Sequence, residues 1–373
     1  MTGKPVIGVA GLGTMGLGIA QLYAQAGHKV IVTDAQEATR LSARDRLAAA
    51  LDQRVKAGKL AEAERDATIA NLVVAADVPA MNDASLVIEA VVEDLAVKQS
   101  LFAALERHVA PDAVLATNTS SLSVAAIMCE LRHKERGIGL HFFNPAPVMK
   151  LVELAVPPAA SPAAVNLARA VTEAAGKTVI ACKDTPGFIV NRCARPFYGE
   201  ALAMLEEGRS ASGIDAAMLQ AGYKLGPFSL IDLIGADINL AATRGLSAAM
   251  GGHPRYHVFT ALTEQVASGH LGRKSGQGFL FPATPGAAPG DWESIALRIE
   301  AALANEAAFL AAESGLAPQD IDTALKLGLN FPRGPFESAH RHGIGNVRAM
   351  LAALEAAAPP HLRARYAISA ALM

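Results

Sequence analysis

Val6-Ile7-Gly8-Val9-Ala10-Gly11-Leu12-Gly13-Thr14-Met15-Gly16 decides the fold of this chain. The apolar run reads as a buried strand, and it leads into glycines spaced G-x-G-x-x-G at the head of a helical pattern. Gly11 allows a tight turn. Gly13 lets the backbone approach a pyrophosphate, whose charge rests at the helix N-terminus opened by Thr14 and Met15, and Gly16 lets helix and strand pack closely. The glycines alone are a weak signal. Asp34, at the end of the next apolar run, makes it strong, because it stands close to the expected separation of about 20 residues. A carboxylate there accepts hydrogen bonds from an adenosine ribose and repels a 2′-phosphate. Ala35 and Gln36 offer no opposing cation and Arg40 lies further along a helix, so the expected cofactor is NAD rather than NADP.

Outward from this stretch, strand signals fall at residues 6–10, 29–33, 72–75, 86–89, 114–116, 137–141 and 151–154. Helical patterns occupy 14–25, 39–72 with a break at Gly58, and 95–108. Such alternation predicts a Rossmann-like α/β domain with a mostly parallel sheet covered on both faces. From about Gly187 the strand signals stop, which predicts all-α C-terminal domains, and residues 283–290 read as a Pro/Gly/Ala linker. The expected domains are therefore 1–184 for the dinucleotide, 185–282 as a first helical domain and 291–373 as a second, degenerate copy. The repeat is visible in residues. Arg192, Glu200, Gly208, Ile214-Asp215, Ala217 and Gly226-Pro227-Phe228 recur as Arg298, Glu306, Gly315, Ile321-Asp322, Ala324 and Gly334-Pro335-Phe336, with two single-residue insertions. Leu297 falls where the first copy has Asn191, and no second Gly-rich loop follows, so the second copy is read as a packing partner that imitates a two-fold dimer.

Composition narrows the class. A formal net charge of -2 over 373 residues gives no reason to expect nucleic acid or an anionic membrane as partner. Cys129, Cys182 and Cys193 lack disulfide or metal spacing, the histidines form no ligand cluster, and no metal is expected. The chain runs from Met1-Thr2-Gly3-Lys4 straight into a strand, leaving no room for a signal peptide, and no apolar run approaches the roughly 20 residues that span a bilayer. A cytoplasmic protein is the expectation.

The chemistry is carried by Leu140-His141-Phe142-Phe143-Asn144-Pro145, followed by Glu153 on the next extended segment. A Glu accepting a hydrogen bond from one ring nitrogen fixes the tautomer and leaves the other nitrogen as a positioned base. On spacing alone, a buried His satisfied by an acid is the commoner arrangement. The company it keeps changes the reading: the dinucleotide fingerprint, Ser120 within Thr117-Asn118-Thr119-Ser120-Ser121, and Asn191 within Asp184-Thr185-Pro186-Gly187-Phe188-Ile189-Val190-Asn191-Arg192. In that order these segments resemble the L-3-hydroxyacyl-CoA dehydrogenase family over nearly the whole chain.

The resemblance implies reversible NAD-dependent oxidation of a secondary alcohol, with His141 as base, Glu153 orienting it, and Ser120 and Asn191 holding the reacting oxygen. It implies that Glu93 and Lys98, in the stretch from Val87 to Lys98, face the dinucleotide, as do Ser120 and Asn144. From the residues alone, Glu93 reads as a helix N-terminal acid, Lys98 as a surface cation and Ser120 as a helix N-cap. Lys56 and Lys59 occupy the place where the family reaches CoA, although exposed helical lysines are common. Gly272-Arg273-Lys274-Ser275-Gly276-Gln277-Gly278-Phe279 reads as a terminating loop without a catalytic role. The implied partner is an acyl-CoA substrate, with the chain a monomer holding an internal pseudo-dimer, or a homodimer. Relatives of this family acting on alcohols without CoA, and a non-catalytic NAD-binding protein of the crystallin type, are the alternatives.

Overall fold

The computed structural model describes residues 3–372, so the start at Met1 and Thr2 and the end of the second copy at Met373 lie outside the described residues. The chain divides into two compact units between Thr185 and Pro186.

The first unit is built on eight strands: β1 (Ile7–Ala10), β2 (Val30–Thr33), β3 (Leu72–Val74), β4 (Leu86–Glu89), β5 (Val114–Thr117), β6 (Gly137–Phe142), β7 (Leu151–Val156) and β8 (Thr178–Lys183). They form one sheet in the order β3-β2-β1-β4-β5-β6-β7-β8. Every neighbouring pair is parallel except β6 and β7. Residues of both parities along β1, β2, β4 and β5 are buried, so both faces of the sheet are covered, as a parallel sheet requires. The helices are α1 (Thr14–Gln25), α2 (Glu37–Lys56), α3 (Glu62–Ala70), α4 (Leu95–Glu106), α5 (Val124–Ile127) and α6 (Pro162–Ala174). Tyr23 of α1 and Thr172 of α6 share a buried 2.8 Å hydrogen bond over one sheet face. The expected break at Gly58 falls between α2 and α3. Three elements carried no recognised signal: the short α5, α6, whose Ser161 cap was overlooked, and β8, an edge strand with its first and last residues exposed.

The order β3-β2-β1-β4-β5-β6 reverses direction between β1 and β4, and ligands of such sheets bind beyond the strand C-termini at that reversal. The Gly-rich turn, Asp34, Ala90 to Asp94 and Asn118 to Ser121 all follow strands at this edge. The antiparallel step brings the start of β7 to the same edge.

The second unit comprises α7 (Val190–Cys193), α8 (Arg195–Glu206), α9 (Ala211–Gln220), α10 (Pro227–Ile234), α11 (Ala236–Ala249), α12 (Thr260–Ala267), α13 (Trp292–Ser314), α14 (Pro318–Leu329), α15 (Pro335–His342) and α16 (Ile344–Ala357). Both helical segments fold into this one body. The Ala-rich α13 is buried along most of its length and packs on α8, α9, α15 and α16. The recurring residues have a structural cause. Asp215 accepts hydrogen bonds from the amides of Phe228 and Ser229 at 2.9 and 2.7 Å, and Asp322 from those of Phe336 and Glu337 at 2.8 and 3.2 Å. A Cβ on Gly226 or Gly334 would sit 2.3 or 2.2 Å from those aspartates, so both glycines are required.

The copies also exchange charges reciprocally. Arg192 Nε lies 2.6 Å from Glu306, and Arg298 Nε lies 2.9 Å from Glu200, which are the equivalent residues interchanged. Arg192 further pairs with Glu313 and Arg298 with Glu207. Arg255 and Tyr256 approach Glu306 as Arg365 and Tyr366 approach Glu200, which extends the repeat beyond the stretch seen in the sequence. Residue i meeting j while j meets i is the signature of a two-fold interface.

Candidate active site

At the Gly-rich turn, Gly11 adopts φ +98°, and a Cβ there would lie 2.6 Å from the carbonyl oxygen of Ala90. A Cβ on Gly16 would strike the Gly11 carbonyl at 1.8 Å. At Gly13 a Cβ would meet nothing within 4 Å, and no side chain caps the helix there. That open approach to uncapped amides, with no acid in the first turn, suits a pyrophosphate. Thr14 is exposed and Met15 half-buried beside it. Asp34 is tied to the turn: its Oδ2 accepts from the Leu12 amide at 2.8 Å and its Oδ1 from Gln36 at 2.9 Å. Arg40 is nearer than its sequence position implied. Its guanidinium folds back to donate to the carbonyls of Asp34 and Ala35 at 2.6 and 3.2 Å. The residues present fit a dinucleotide with free ribose hydroxyls.

Two sequence readings are corrected beyond β4. Lys98 is not a surface cation. It is 1% exposed, with its ammonium 2.6 Å from Glu89 and 3.2 Å from Glu93. Asp94, not Glu93, caps α4, accepting from the Val97 amide at 2.9 Å. Glu93 reaches across to the loop after β5, where one carboxylate oxygen accepts from the amides of Ser120 and Ser121 at 3.0 and 3.1 Å and from the Thr119 hydroxyl at 2.7 Å. Burial pushes the Glu93 carboxyl up, but the Thr119 hydroxyl, Lys98 and the loop donors outweigh it and hold it below the usual range. Ser120 is exposed at the crest of this loop, and the cap of α5 is Ser123. The neighbouring Asn118 accepts from the Phe142 amide at 2.9 Å, joining the loop to β6.

The antiparallel register places His141 directly opposite Glu153. His141 Nδ1 and Glu153 Oε2 are 2.6 Å apart, and Glu153 is fully buried. His141 is 7% exposed and packs against the Phe143 ring at 4.6 Å between centroids. Asn144 follows, exposed, on a segment supported from β8's side: Lys177 donates to the carbonyls of Ala146 and Met149, both at 2.6 Å. Burial, helped by nearby Lys150, pulls the Lys177 pKa down to about 8.

Lys56 and Lys59 are exposed, at the end of α2 and in the turn after it. Asp184, first residue of the motif that ends in Arg192, caps α5 through the Val124 and Ala125 amides at 2.9 and 2.7 Å. Asn191 belongs to the second unit, half-buried in α7, after a reversal in which Gly187 and Phe188 both adopt positive φ. Phe188, at φ 46° and buried, is held there against the ordinary preference of an aromatic residue, a strain typical of functional loops. The Gly-rich loop after α12 has a structural anchor that sequence reasoning missed: Asp232 accepts from the amides of Phe279, Leu280 and Phe281, each at 2.8 Å. The second copy has His340 where Asp232 stands, matching its lack of that loop.

A dinucleotide turn, an acid after the second strand and a buried His–Glu pair define an NAD-dependent oxidoreductase. The chain belongs to the 3-hydroxyacyl-CoA dehydrogenase family: residues 6–185 match its NAD binding domain, and residues 187–281 and 295–372 match its C-terminal domain. The C-terminal match therefore falls on both helical copies. The chain is 44% identical over 280 residues, 74% of its length, to a 3-hydroxyadipyl-CoA dehydrogenase of Escherichia coli, and the match spans 59% of that enzyme. It is 40% identical over 278 residues, 73% of its length, to a 3-hydroxybutyryl-CoA dehydrogenase of Mycobacterium tuberculosis, covering 96% of it. A crystal structure of 3-hydroxybutyryl-CoA dehydrogenase from Escherichia coli superposes with a TM-score of 0.91 at 32% identity, covering 99% of this chain and 97% of that one. Among the described residues no helix is long and apolar enough to cross a membrane.

Proposed function

We propose that this chain oxidises the hydroxyl of an (S)-3-hydroxyacyl-CoA reversibly to the 3-oxo compound, in fatty-acid β-oxidation or a related acyl-CoA pathway. The observation that carries the reading is the His141–Glu153 pair at the sheet edge that also bears the Gly-rich turn. Bound in the turn at Gly11, Gly13 and Gly16, NAD would supply the acceptor for the hydride that leaves C3 of the substrate. His141 Nε2 takes the hydroxyl proton, because Nδ1 is engaged by Glu153. Glu153 keeps the ring in one tautomer and balances the imidazolium that forms. Ser120 and Asn191 hold the reacting oxygen. The turn at Gly11, Gly13 and Gly16, with Thr14 and Met15, receives the pyrophosphate, and Asp34 the ribose. Glu93 and Asn144 face the cofactor, with Lys98 acting on it through Glu93. Lys56 and Lys59 meet the CoA phosphates. The protein is cytoplasmic in this reading, consistent with three free cysteines.

An NADH absorbance assay with 3-hydroxybutyryl-CoA, the free acid and no substrate tests the proposal. NADH formation with the thioester alone is expected. Turnover of the free acid alone, or of neither, overturns it. Asp34 supplies a further expected result: kcat/KM with NAD exceeds that with NADP, and Asp34→Ala narrows the ratio mainly by weakening NAD. Steady-state kinetics with both cofactors check this, and equal values in the wild type would contradict the role of Asp34.

The organisation proposed with this function is a dinucleotide domain at 1–184, a helical domain at 185–282 that carries Asn191, and a copy at 291–373 that serves as its packing partner. The reciprocal Arg192–Glu306 and Arg298–Glu200 pairs support that pairing. In this reading the chain is a monomer with an internal pseudo-dimer, and light scattering tests it. A homodimeric mass would show assembly through another face.

A further inference from the structure

Glu89 is fully buried at the end of β4, and no step of the proposed reaction uses it. A buried carboxylate is costly unless it is paired and hydrogen-bonded, and Glu89 is met on every side. Its Oε1 accepts from the Val91 amide at 2.7 Å and from Lys98 Nζ at 2.6 Å, and its Oε2 accepts from the Thr117 hydroxyl at 2.6 Å. Two routes run outward from it to the same loop. Lys98 continues to Glu93 Oε2 at 3.2 Å, and the other Glu93 oxygen gathers the Ser120 and Ser121 amides and the Thr119 hydroxyl. Thr117 accepts from the Thr119 amide at 3.2 Å.

We propose that Glu89 and Thr117 are positioning residues of the reaction, which act through Lys98 and Glu93 to set the Thr119–Ser121 loop. The inference rests on the proposed contact of Ser120 with the reacting oxygen. One ammonium is shared by two carboxylates at unequal distance. While Glu89 holds Lys98 deep, Glu93 is left free to point at the loop amides. With the charge of Glu89 removed, Lys98 has only Glu93 to pair with and draws it inward, away from Ser120 and Ser121. A displacement of about 1 Å in a positioning group costs up to about 100-fold in rate.

The test uses full-length Glu89→Gln, Thr117→Val and Glu89→Gln/Lys98→Met, with two readouts. Steady-state kinetics with 3-hydroxybutyryl-CoA and NAD should show kcat lowered about 10- to 100-fold in Glu89→Gln and several-fold less in Thr117→Val, with KM for the thioester within about twofold. The double variant, which removes the competing ammonium, should recover part of the loss, a non-additivity expected of groups in one network. Hydrogen–deuterium exchange over residues 117–123, measured without substrate, should show lost protection in Glu89→Gln and its partial return in the double variant. Unchanged kcat and unchanged exchange in folded Glu89→Gln would overturn the proposal. If Glu89→Gln does not fold, Thr117→Val decides alone, and wild-type kcat and exchange in it would overturn the proposal. Altered exchange in a protein whose wild type oxidises no 3-hydroxyacyl-CoA would leave the network standing and remove the proposed function instead.

Discussion

His141→Ala is expected to lower kcat by about 10²–10⁴-fold while leaving NADH binding close to that of the wild type. His141 is 7% exposed at the sheet edge, and Glu153 engages its Nδ1 at 2.6 Å, so one ring nitrogen is oriented for proton transfer. Its removal deletes the proposed base without touching the Gly-rich turn or Asp34. Stopped-flow or steady-state NADH formation, with cofactor binding followed by fluorescence, separates the two effects. Near-normal kcat in a folded variant would end the mechanism. Glu153→Gln should do less: the amide can still hold the ring, but the charge that balances the imidazolium is gone, so kcat falls and the pH profile shifts. An unmoved profile would make Glu153 a structural partner only.

The second large effect lies far from the chemistry, in the charges exchanged between the helical copies. Glu200→Gln is expected to destabilise the helical unit by about 3–5 kcal/mol, because it leaves buried Arg365 without its counter-charge and Arg298 with Glu207 alone. Arg365, with a side chain 4% exposed, has Glu200 at 2.7 Å, and Arg298 has it at 2.9 Å. Burial pushes the Glu200 carboxyl up, but Arg365 and Arg298 outweigh it and hold it below the usual range. A carboxyl lowered in the folded state contributes stability above its unfolded pKa and loses it as pH falls through the folded value. The wild type should therefore lose stability on acidification more steeply than Glu200→Gln. Thermal unfolding across acidic and neutral pH reads both results. Arg209→Ala, which breaks an exposed pair with Asp291, serves as the comparison and should leave thermal unfolding close to that of the wild type. A Glu200 effect no larger than that would mean the interchange of charges contributes nothing. A chain cut near Pro282 removes Arg298, Glu306 and Arg365 together, and it should expose apolar helix faces and associate or precipitate. A monomeric, soluble and equally stable fragment would show that the second copy covers nothing.

Much of the site was legible because it is local. The Gly-rich turn, the acid after the second strand and the alternation of strands and helices depend on neighbours in sequence and on period, and they stand where the sequence put them. The His–Glu pair was legible for a less obvious reason. A short reversal between two extended segments sets a register, and the antiparallel step at β6 and β7 turns twelve residues of separation into a direct cross-strand pair. The repeat was legible as matched residues, and both copies match one domain of the family.

Lys98 was misread as a surface cation because nothing in α4 announces that its ammonium turns inward toward Glu89, nine residues earlier. Arg40 was placed too far from Asp34 because a long side chain can fold back along a helix N-terminus. The role of Asp184 as a cap for α5 spans 60 residues of chain, and the reciprocal pairing of Arg192 with Glu306 spans 114. The sequence by itself determined the fold class, the Gly-rich turn, the His141–Glu153 pair and the duplication, because each is written in local spacing or in self-similarity. Tertiary structure alone decided which charges are buried and with whom they pair. That choice depends on which distant groups the fold brings within hydrogen-bond reach, and a buried charge is tolerated only where such partners arrive.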